Sequence, residues 1–125
     1  MYKYTSTTAL AWTQWPTGEP HTVVDNLLHA DVPSLPHLDG PRKVSVLLPP
    51  SYQTSHRRYP VLYMQDGQNL FDAAIAYAGT EWMVDEAMTR LAEAGKEAIV
   101  VAVDHAGEQR IREYNPFGHG IGNQY

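Results

Sequence analysis

The strongest constraint on the fold is a pair of short apolar runs, at 60–64 and 98–103, separated by one amphipathic stretch. The first run opens with a proline, which is tolerated at the start of a strand. The second run is rich in β-branched residues, which favour strands. Continuous apolar strands without alternation are typical of a parallel sheet that is buried on both faces. The pattern therefore predicts an α/β protein.

The stretch between the two runs has the signals of a helix. Thr80 suits the N-cap, and Glu81 places a negative charge in the first turn, where it is favoured. Gly95 suits the position that follows the last helical turn. Apolar residues recur at helical spacing at Val84, Ala87, Met88 and Leu91. Strand, helix and strand in this order predict a βαβ unit with a right-handed crossover.

The residues before this unit predict further strands. Residues 42–48 alternate between polar and apolar and then become wholly apolar before Pro49 and Pro50. Residues 22–32 fit either a bent strand or a short helix, because periodicity alone does not decide. Residues 1–21 are interpreted as an N-terminal arm. The glycine-containing residues 105–125 have no terminating element, so we interpret 22–125 as a piece of one larger domain.

Composition and charge exclude several classes of protein. The chain has 125 residues, 43% of them hydrophobic and 18% charged, as in globular proteins. Lys and Arg number 9 against 14 Asp and Glu, a formal net charge of −5 that argues against a nucleic-acid partner. Because there is no cysteine, disulfide scaffolds, thiolate metal sites and a cysteine nucleophile are excluded. No apolar run has the length of a membrane span or signal peptide, so we expect no membrane partner and a cytoplasmic location.

Neither a metal ion nor a cofactor is expected from the motifs. The 6 histidines are scattered and lack the His-Glu-x-x-His spacing of metal sites. No glycine-rich phosphate loop follows a predicted strand, and residues 119–122 lack the lysine that such a loop needs. Asp66, Asp104 and His105 are polar groups that could converge at the strand ends, but their spacing does not require a cation.

The candidate site lies where the predicted strands end. In open α/β sheets, ligands bind beyond the carboxyl ends of the strands, and two polar segments, 65–72 and 104–107, lie there. In the turn Asp66-Gly67-Gln68-Asn69, a glycine permits a tight backbone turn. The N–H of Gln68 would then point into a cleft, where it could bind a developing oxyanion. The alternative is that Asp-Gly forms only a turn.

Residues 59–72, Tyr-Pro-Val-Leu-Tyr-Met-Gln-Asp-Gly-Gln-Asn-Leu-Phe-Asp, resemble the signature region of the putative-esterase family of α/β-hydrolases. This family includes enterochelin-esterase-like, esterase D-like and feruloyl-esterase-like enzymes. Residues 42–52, the Trp82-x-x-Asp85-Glu86 helix opening and residues 101–116 resemble further parts of the family in the same order. The resemblance covers about 25–120 and implies the N-terminal part of an α/β-hydrolase sheet, with antiparallel leading strands followed by the βαβ unit.

The resemblance implies a serine hydrolase that acts on a small ester. It also implies that this chain contains only half of the oxyanion hole. The family's nucleophile lies on a Gly-x-Ser-x-Gly elbow, followed by an acid and a histidine. The serines of this chain, at 6, 34, 45, 51 and 55, all precede the βαβ unit, and none has that motif. The catalytic contribution is therefore the Gln68 backbone N–H, with Gly67 and Asp66 positioning it. We expect the domain to be truncated before the elbow and the 125-residue chain to be inactive alone.

Candidate substrate-binding residues also follow from the resemblance. They are Asn69, Trp82, Arg110, Glu113 and Tyr114. Arg110 could pair with a substrate carboxylate or phosphate; the alternative is an internal Arg–Glu pair that holds a loop. Trp82 could form the floor of the cleft, or it could belong to the core. Asp72 and Asp85 are interpreted as a turn residue and a helix-surface residue.

A function of a different class also fits the sequence. The chain could be a non-catalytic module that binds a small polar ligand or sugar in the same strand-end cleft. If the chain is a piece of a larger domain, we expect strand 98–103 to form an exposed apolar sheet edge. Such an edge would allow self-association.

Overall fold

The chain forms a mixed five-stranded sheet with two helices. The computed structural model describes residues 9–15, 20–24, 26–33, 38, 40–115 and 117. The strands are β1 (Thr13–Trp15), β2 (Asn26–Val32), β3 (Arg42–Leu48), β4 (Val61–Met64) and β5 (Ile99–Val103), and the helices are α1 (Val84–Glu93) and α2 (Arg110–Tyr114). In space the strands follow the order β1-β2-β3-β5-β4.

The pairing of the strands confirms the predicted fold class. β1, β2, β3 and β5 pair successively in antiparallel orientation, whereas β4 pairs with β5 in parallel. α1 lies between β4 and β5 in sequence and completes the βαβ unit. Of the two interpretations of residues 22–32, the strand is confirmed, since β2 pairs along its whole length with β3. β1, within the predicted arm, pairs with β2.

The core lies on one face of the sheet. It consists of buried side chains from β2, β3, β5 and the loop after β4, namely Leu27, Leu47, Leu70, Phe71, Val100 and Ala102. Val84 and Met88 of α1 pack against this cluster. Leu91, which the helical spacing also placed toward the core, is exposed. In β5, burial alternates between complete and partial, so only one face of this strand is fully covered by the described residues.

The prediction that strand 98–103 forms the edge of the sheet is wrong. β5 is hydrogen-bonded on both sides, to β3 and β4, whereas β4 has a neighbour on one side only within the described residues. Val61, Leu62 and Tyr63 are exposed accordingly, Tyr63 to 76%. The expectation that both strands are buried on both faces is therefore wrong for β4. Self-association stays a prediction, and in this topology β4 is the strand that would carry it.

The predicted N-terminus of the helix is also wrong, whereas its C-terminus is confirmed. α1 begins at Val84, and its N-cap is Met83 in the left-handed conformation (φ 57°), not Thr80. Tertiary hydrogen bonds fix this start: Trp82 N–H donates to the Asn69 carbonyl at 2.9 Å. At the other end, Gly95 has φ 77°, the left-handed geometry expected after a helix.

Two aspartates predicted at a turn and on the helix surface are buried. Asp72 accepts hydrogen bonds from Trp15 Nε1 (2.9 Å) and His21 Nδ1 (2.7 Å), and from the Ala74 N–H (3.0 Å). Burial alone would raise the pKa of Asp72, but these hydrogen bonds outweigh it and lower the pKa. Asp85 is 0% exposed, and burial raises its pKa to about 7. The helix-surface interpretation of Asp85 is therefore wrong.

None of the helices in the described residues has the length and apolar character needed to cross a membrane.

Candidate active site

The turn after β4 is built on a left-handed aspartate. Asp66 has φ 57° and ψ 41°, and the next three residues, Gly67–Asn69, form a 3-10 turn closed by the Asn69 N–H on the Asp66 carbonyl at 2.8 Å. The sequence predicted that Gly67 provides the unusual conformation; instead, its role is close approach. A Cβ on Gly67 would lie 2.7 Å from Asp104 Oδ1 and 3.0 Å from the Val103 carbonyl carbon. Only glycine lets the turn pack against the end of β5.

The carboxylate of Asp66 is held by two side chains of α2. Arg110 donates from both Nε and Nη2 at 2.7 Å, and the Tyr114 hydroxyl donates at 3.1 Å. The Arg110 guanidinium also lies over the Tyr114 ring, 4.9 Å from its centroid. Hydrogen bonding from Arg110 holds the pKa of Asp66 below its usual value. This bidentate pair fixes the unusual backbone of Asp66, and with it the turn.

The side chain of Gln68 joins the two strand-end loops. Its Nε2 donates to the His105 carbonyl at 3.1 Å, and its Oε1 accepts from the His105 N–H at 3.0 Å. This pair of hydrogen bonds resembles one rung of a sheet ladder between the ends of β4 and β5. The backbone N–H of Gln68 lies at the start of the 3-10 turn, where N–H groups have no acceptor inside the turn. Donation by this N–H to a bound group stays a prediction.

A large cleft opens beside this turn. It has a volume of about 990 Å³ and is lined by Asp66 and Asn69 on either side of the Gly67-Gln68 pair. Trp82, Tyr77 and Ile111 provide apolar walls. A second cleft of about 730 Å³, beside β4, shares Asp66 and Trp82 with the first. Trp82 is 57% exposed, so it belongs to the cleft wall and not to the core.

The structure brings together some of the predicted substrate-binding residues but not all. Asn69, Trp82 and Arg110 line the cleft, although Arg110 uses two of its donors on Asp66. Tyr114 contacts Asp66 and supports the turn from behind. Contact of the cleft residues with a substrate stays a prediction.

Glu113 does not reach the cleft. It is 1% exposed and forms an ion pair with Arg42, the first residue of β3, whose side chain is also buried. Arg42 additionally donates to the Pro41 carbonyl at 3.2 Å. The predicted Arg–Glu pair within one loop is thus replaced by two pairs, Arg110 with Asp66 and Arg42 with Glu113. Both pairs join α2 to the sheet, because partners distant in sequence meet there.

Asp104 directly follows β5 and lies next to Gly67 of the turn. Its N–H donates to the Lys43 carbonyl at 3.0 Å, and burial raises the pKa of its carboxyl to about 6. The described histidines and serines offer no triad next to it. None of the hydrogen bonds among the described residues joins a serine hydroxyl to a histidine, and Ser51 Oγ instead contacts Tyr59 and Glu97.

The raised pKa of Asp104 predicts a pH-dependent stability. Between about pH 4 and about pH 6 the folded protein binds more protons at this carboxyl than the unfolded chain does. The favourable contribution of Asp104 is therefore complete below this range and is lost as the pH rises through about 6. Asp104→Asn cannot titrate, so it should remove this loss from urea-unfolding free energies of the complete protein measured across the range.

The parent and Asp104→Asn must be compared with each other, because His29 changes the stability with pH in the opposite sense. Burial lowers the pKa of His29 to about 4. Parallel stability curves for the parent and Asp104→Asn would contradict the assignment.

The five-stranded sheet and its βαβ unit define a mixed α/β fold. The sequence profile of the family described as "Putative esterase" matches residues 36–124, and the chain belongs to this family.

Two known proteins are similar to parts of the chain. The Bacillus subtilis (strain 168) protein named "Uncharacterized protein YbbA" is 32% identical over 81 residues, which are 65% of this chain and 28% of YbbA. The crystal structure of an IroE-like serine hydrolase from Shewanella oneidensis has a similar fold, with a TM-score of 0.53 and 24% identity. That match covers 70% of this chain and 25% of the hydrolase. The chain thus spans about a quarter of the length of each.

Proposed function

We propose that this chain is the oxyanion-hole portion of a serine esterase that hydrolyses small carboxylic esters. The observation that carries the proposal is the turn after β4. There the Gln68 side chain is held by the backbone of His105 and Asp66 is held by Arg110 of α2, beside a cleft that Asp66 and Asn69 line. Membership of the esterase family supports the same reaction class.

In this reaction a serine Oγ attacks the ester carbonyl carbon, and the carbonyl oxygen becomes an oxyanion. The Gln68 N–H would donate to that oxygen, a contribution of roughly 3 kcal/mol to lowering the barrier for a typical donor. The C–O bond then breaks, the alcohol leaves with a proton from the general acid, and water hydrolyses the acyl-serine. We place the serine, acid and histidine in parts of the protein beyond these 125 residues, in accord with the share of each relative that the chain spans.

The cleft favours a substrate with an apolar part. Trp82, Tyr77 and Ile111 provide apolar surface next to the turn. Arg110 is the one arginine that lines this cleft, and two of its donors are engaged by Asp66. Recognition of a substrate carboxylate by a free, bidentate Arg110 would require breaking that pair.

The test is ester hydrolysis by the complete natural protein, together with its intact mass. We expect the complete protein to hydrolyse a p-nitrophenyl ester and a serine-directed phosphonate to stop the reaction with one adduct per chain. The 125-residue chain should show no turnover. Saturable ligand binding by a complete protein without turnover or adduct would instead support a binding module and exclude the esterase.

A further inference from the structure

Three carboxyl side chains meet at the start of α1, away from the proposed oxyanion turn. Glu81, Asp85 and Glu86 each offer one oxygen, and these oxygens lie within 4.8 Å of one another. We call these three residues the acidic cluster. Asp85 and Glu86 belong to the first turn of α1, and Glu81 lies in the segment that leads into it.

The acidic cluster contains oxygens that accept no hydrogen bond from the described residues while all three carboxyls are ionised; protonation of one carboxyl lets Asp85 and Glu86 hydrogen-bond to each other. Asp85 is 0% exposed, and its Oδ1 is buried without a hydrogen-bond donor among the described residues. Glu81 Oε2 and Glu86 Oε2 are buried in the same way. Buried carboxylate oxygens normally have a partner, since an unsatisfied one is costly.

The other oxygens of the cluster show how the site is anchored. Asp85 Oδ2 accepts from the Val24 N–H at 2.9 Å, and Glu81 Oε1 accepts from the Thr22 hydroxyl. Thr22 in turn accepts from the Ala73 N–H at 2.9 Å. Two of the three carboxylates are thus oriented by neighbours, and each keeps a second, buried oxygen that accepts no hydrogen bond from the described residues.

The charge of the cluster is not balanced by the protein. Among the described residues, no salt bridge reaches Glu81, Asp85 or Glu86. Three like charges at this separation repel one another strongly when they are partly buried. A proton shared between two carboxyls would remove one of the three negative charges, whereas a bound divalent cation would offset two of them and give the three oxygens a common partner.

We infer that the acidic cluster binds a hard divalent cation, with Ca²⁺ as the best fit. Carboxylate oxygens are the preferred ligands of such cations, and Ca²⁺ holds them at about 2.3–2.6 Å in a flexible arrangement. Two oxygens on opposite sides of Ca²⁺ are therefore up to about 5 Å apart, so the upper limit of 4.8 Å in the cluster is compatible with Ca²⁺. Mg²⁺ holds its ligands closer, at about 2.0–2.1 Å, so it could not bind two oxygens that are more than about 4.2 Å apart.

The sequence motifs predicted no metal because this cluster has no recognised spacing. The consequence of a bound cation would be structural. A cation there would join the start of α1 to the segment of Thr22 and Val24. It would also hold Trp82, which lies between Glu81 and Asp85 in sequence and forms a wall of the cleft. The inference does not depend on esterase chemistry.

The experiment is calcium titration of the complete protein after removal of metals with EDTA, at about pH 8, where carboxyl groups are ionised. Calorimetry should detect one Ca²⁺ per chain, and the melting temperature should rise by several degrees with saturating Ca²⁺. Glu86→Gln should weaken binding at least about tenfold, because one charged ligand is lost. Glu93→Gln, at an exposed position on the same helix, should bind as the parent does.

Each other outcome is decisive. Absence of Ca²⁺ binding by the parent would overturn the inference. A shared proton would then be what reduces the repulsion between the carboxylates. Binding that both Glu86→Gln and Glu81→Gln leave unchanged would place the ion elsewhere and overturn it too. If Glu86→Gln does not fold, Glu81→Gln, nearer the surface than Asp85, provides the same comparison. Tighter binding of Mg²⁺ than of Ca²⁺ would overturn the choice of ion.

Discussion

Replacing Gly67 with valine is expected to abolish most of the esterase activity that we propose for the complete protein. The new Cβ would lie 2.7 Å from Asp104 Oδ1 and 3.0 Å from the Val103 carbonyl carbon, so the turn must move away from β5. Movement of the turn displaces the Gln68 N–H. Loss of one oxyanion donor lowers kcat on the order of 10²–10³-fold, and overpacking costs about 1–3 kcal/mol of stability. Steady-state kinetics and urea unfolding measure the two effects separately.

A matched control distinguishes the clash from the loss of a glycine. Gly95→Ala introduces a Cβ into open space at φ 77°, far from the turn, so only a modest loss of stability is expected. Its kcat should equal that of the parent. If folded Gly67→Val retained full kcat, the Gln68 N–H would not be the oxyanion donor.

Truncation of Glu113 to alanine is expected to destabilise the protein by about 3–5 kcal/mol, because it leaves Arg42 buried without its counter-charge. The two partners are separated by 71 residues in sequence, so the pair joins α2 to the start of β3. Urea unfolding of the complete protein measures the loss. Under conditions where the variant is folded, KM should be unchanged, since Glu113 lies outside the cleft.

The double variant Arg42→Met/Glu113→Leu provides the control for this pair. Replacing both charges by apolar groups removes the unpaired charge, so the double variant should be more stable than Glu113→Ala. An increase in KM without loss of stability in Glu113→Ala would restore the original prediction that Glu113 binds substrate.

The candidate site was partly predictable from sequence. The turn 66–69 could be located because polar residues directly follow an apolar strand, and the resemblance of residues 59–72 gave the family. The partners of the turn could not be located. Arg110 meets Asp66 across 44 residues of sequence, and the Gln68 side chain meets His105 across 37. Local patterns carry no signal for such pairs.

The same limit explains why the burial of two aspartates was not predicted. Asp72 lies at a turn, as local rules indicate, whereas Asp85 does not lie on the helix surface. The burial of both depends on donors from residues 15–24, which lie between 50 and 61 residues away in sequence. Because burial of a carboxylate requires partners, it becomes visible only when those partners are in place.

The sequence by itself determined the class of the fold and most of its elements, but not α2 or the choice of a strand for residues 22–32. Apolar runs of strand length, one amphipathic helix ending at a glycine and a polar turn after the first run were sufficient for an α/β sheet with a βαβ unit. The tertiary structure alone decided that β5 lies inside the sheet and β4 at its described edge. It also decided which charges are buried together. The physical reason is that periodicity reports the face a residue prefers, whereas strand order and ion pairing depend on contacts between segments that are distant in sequence.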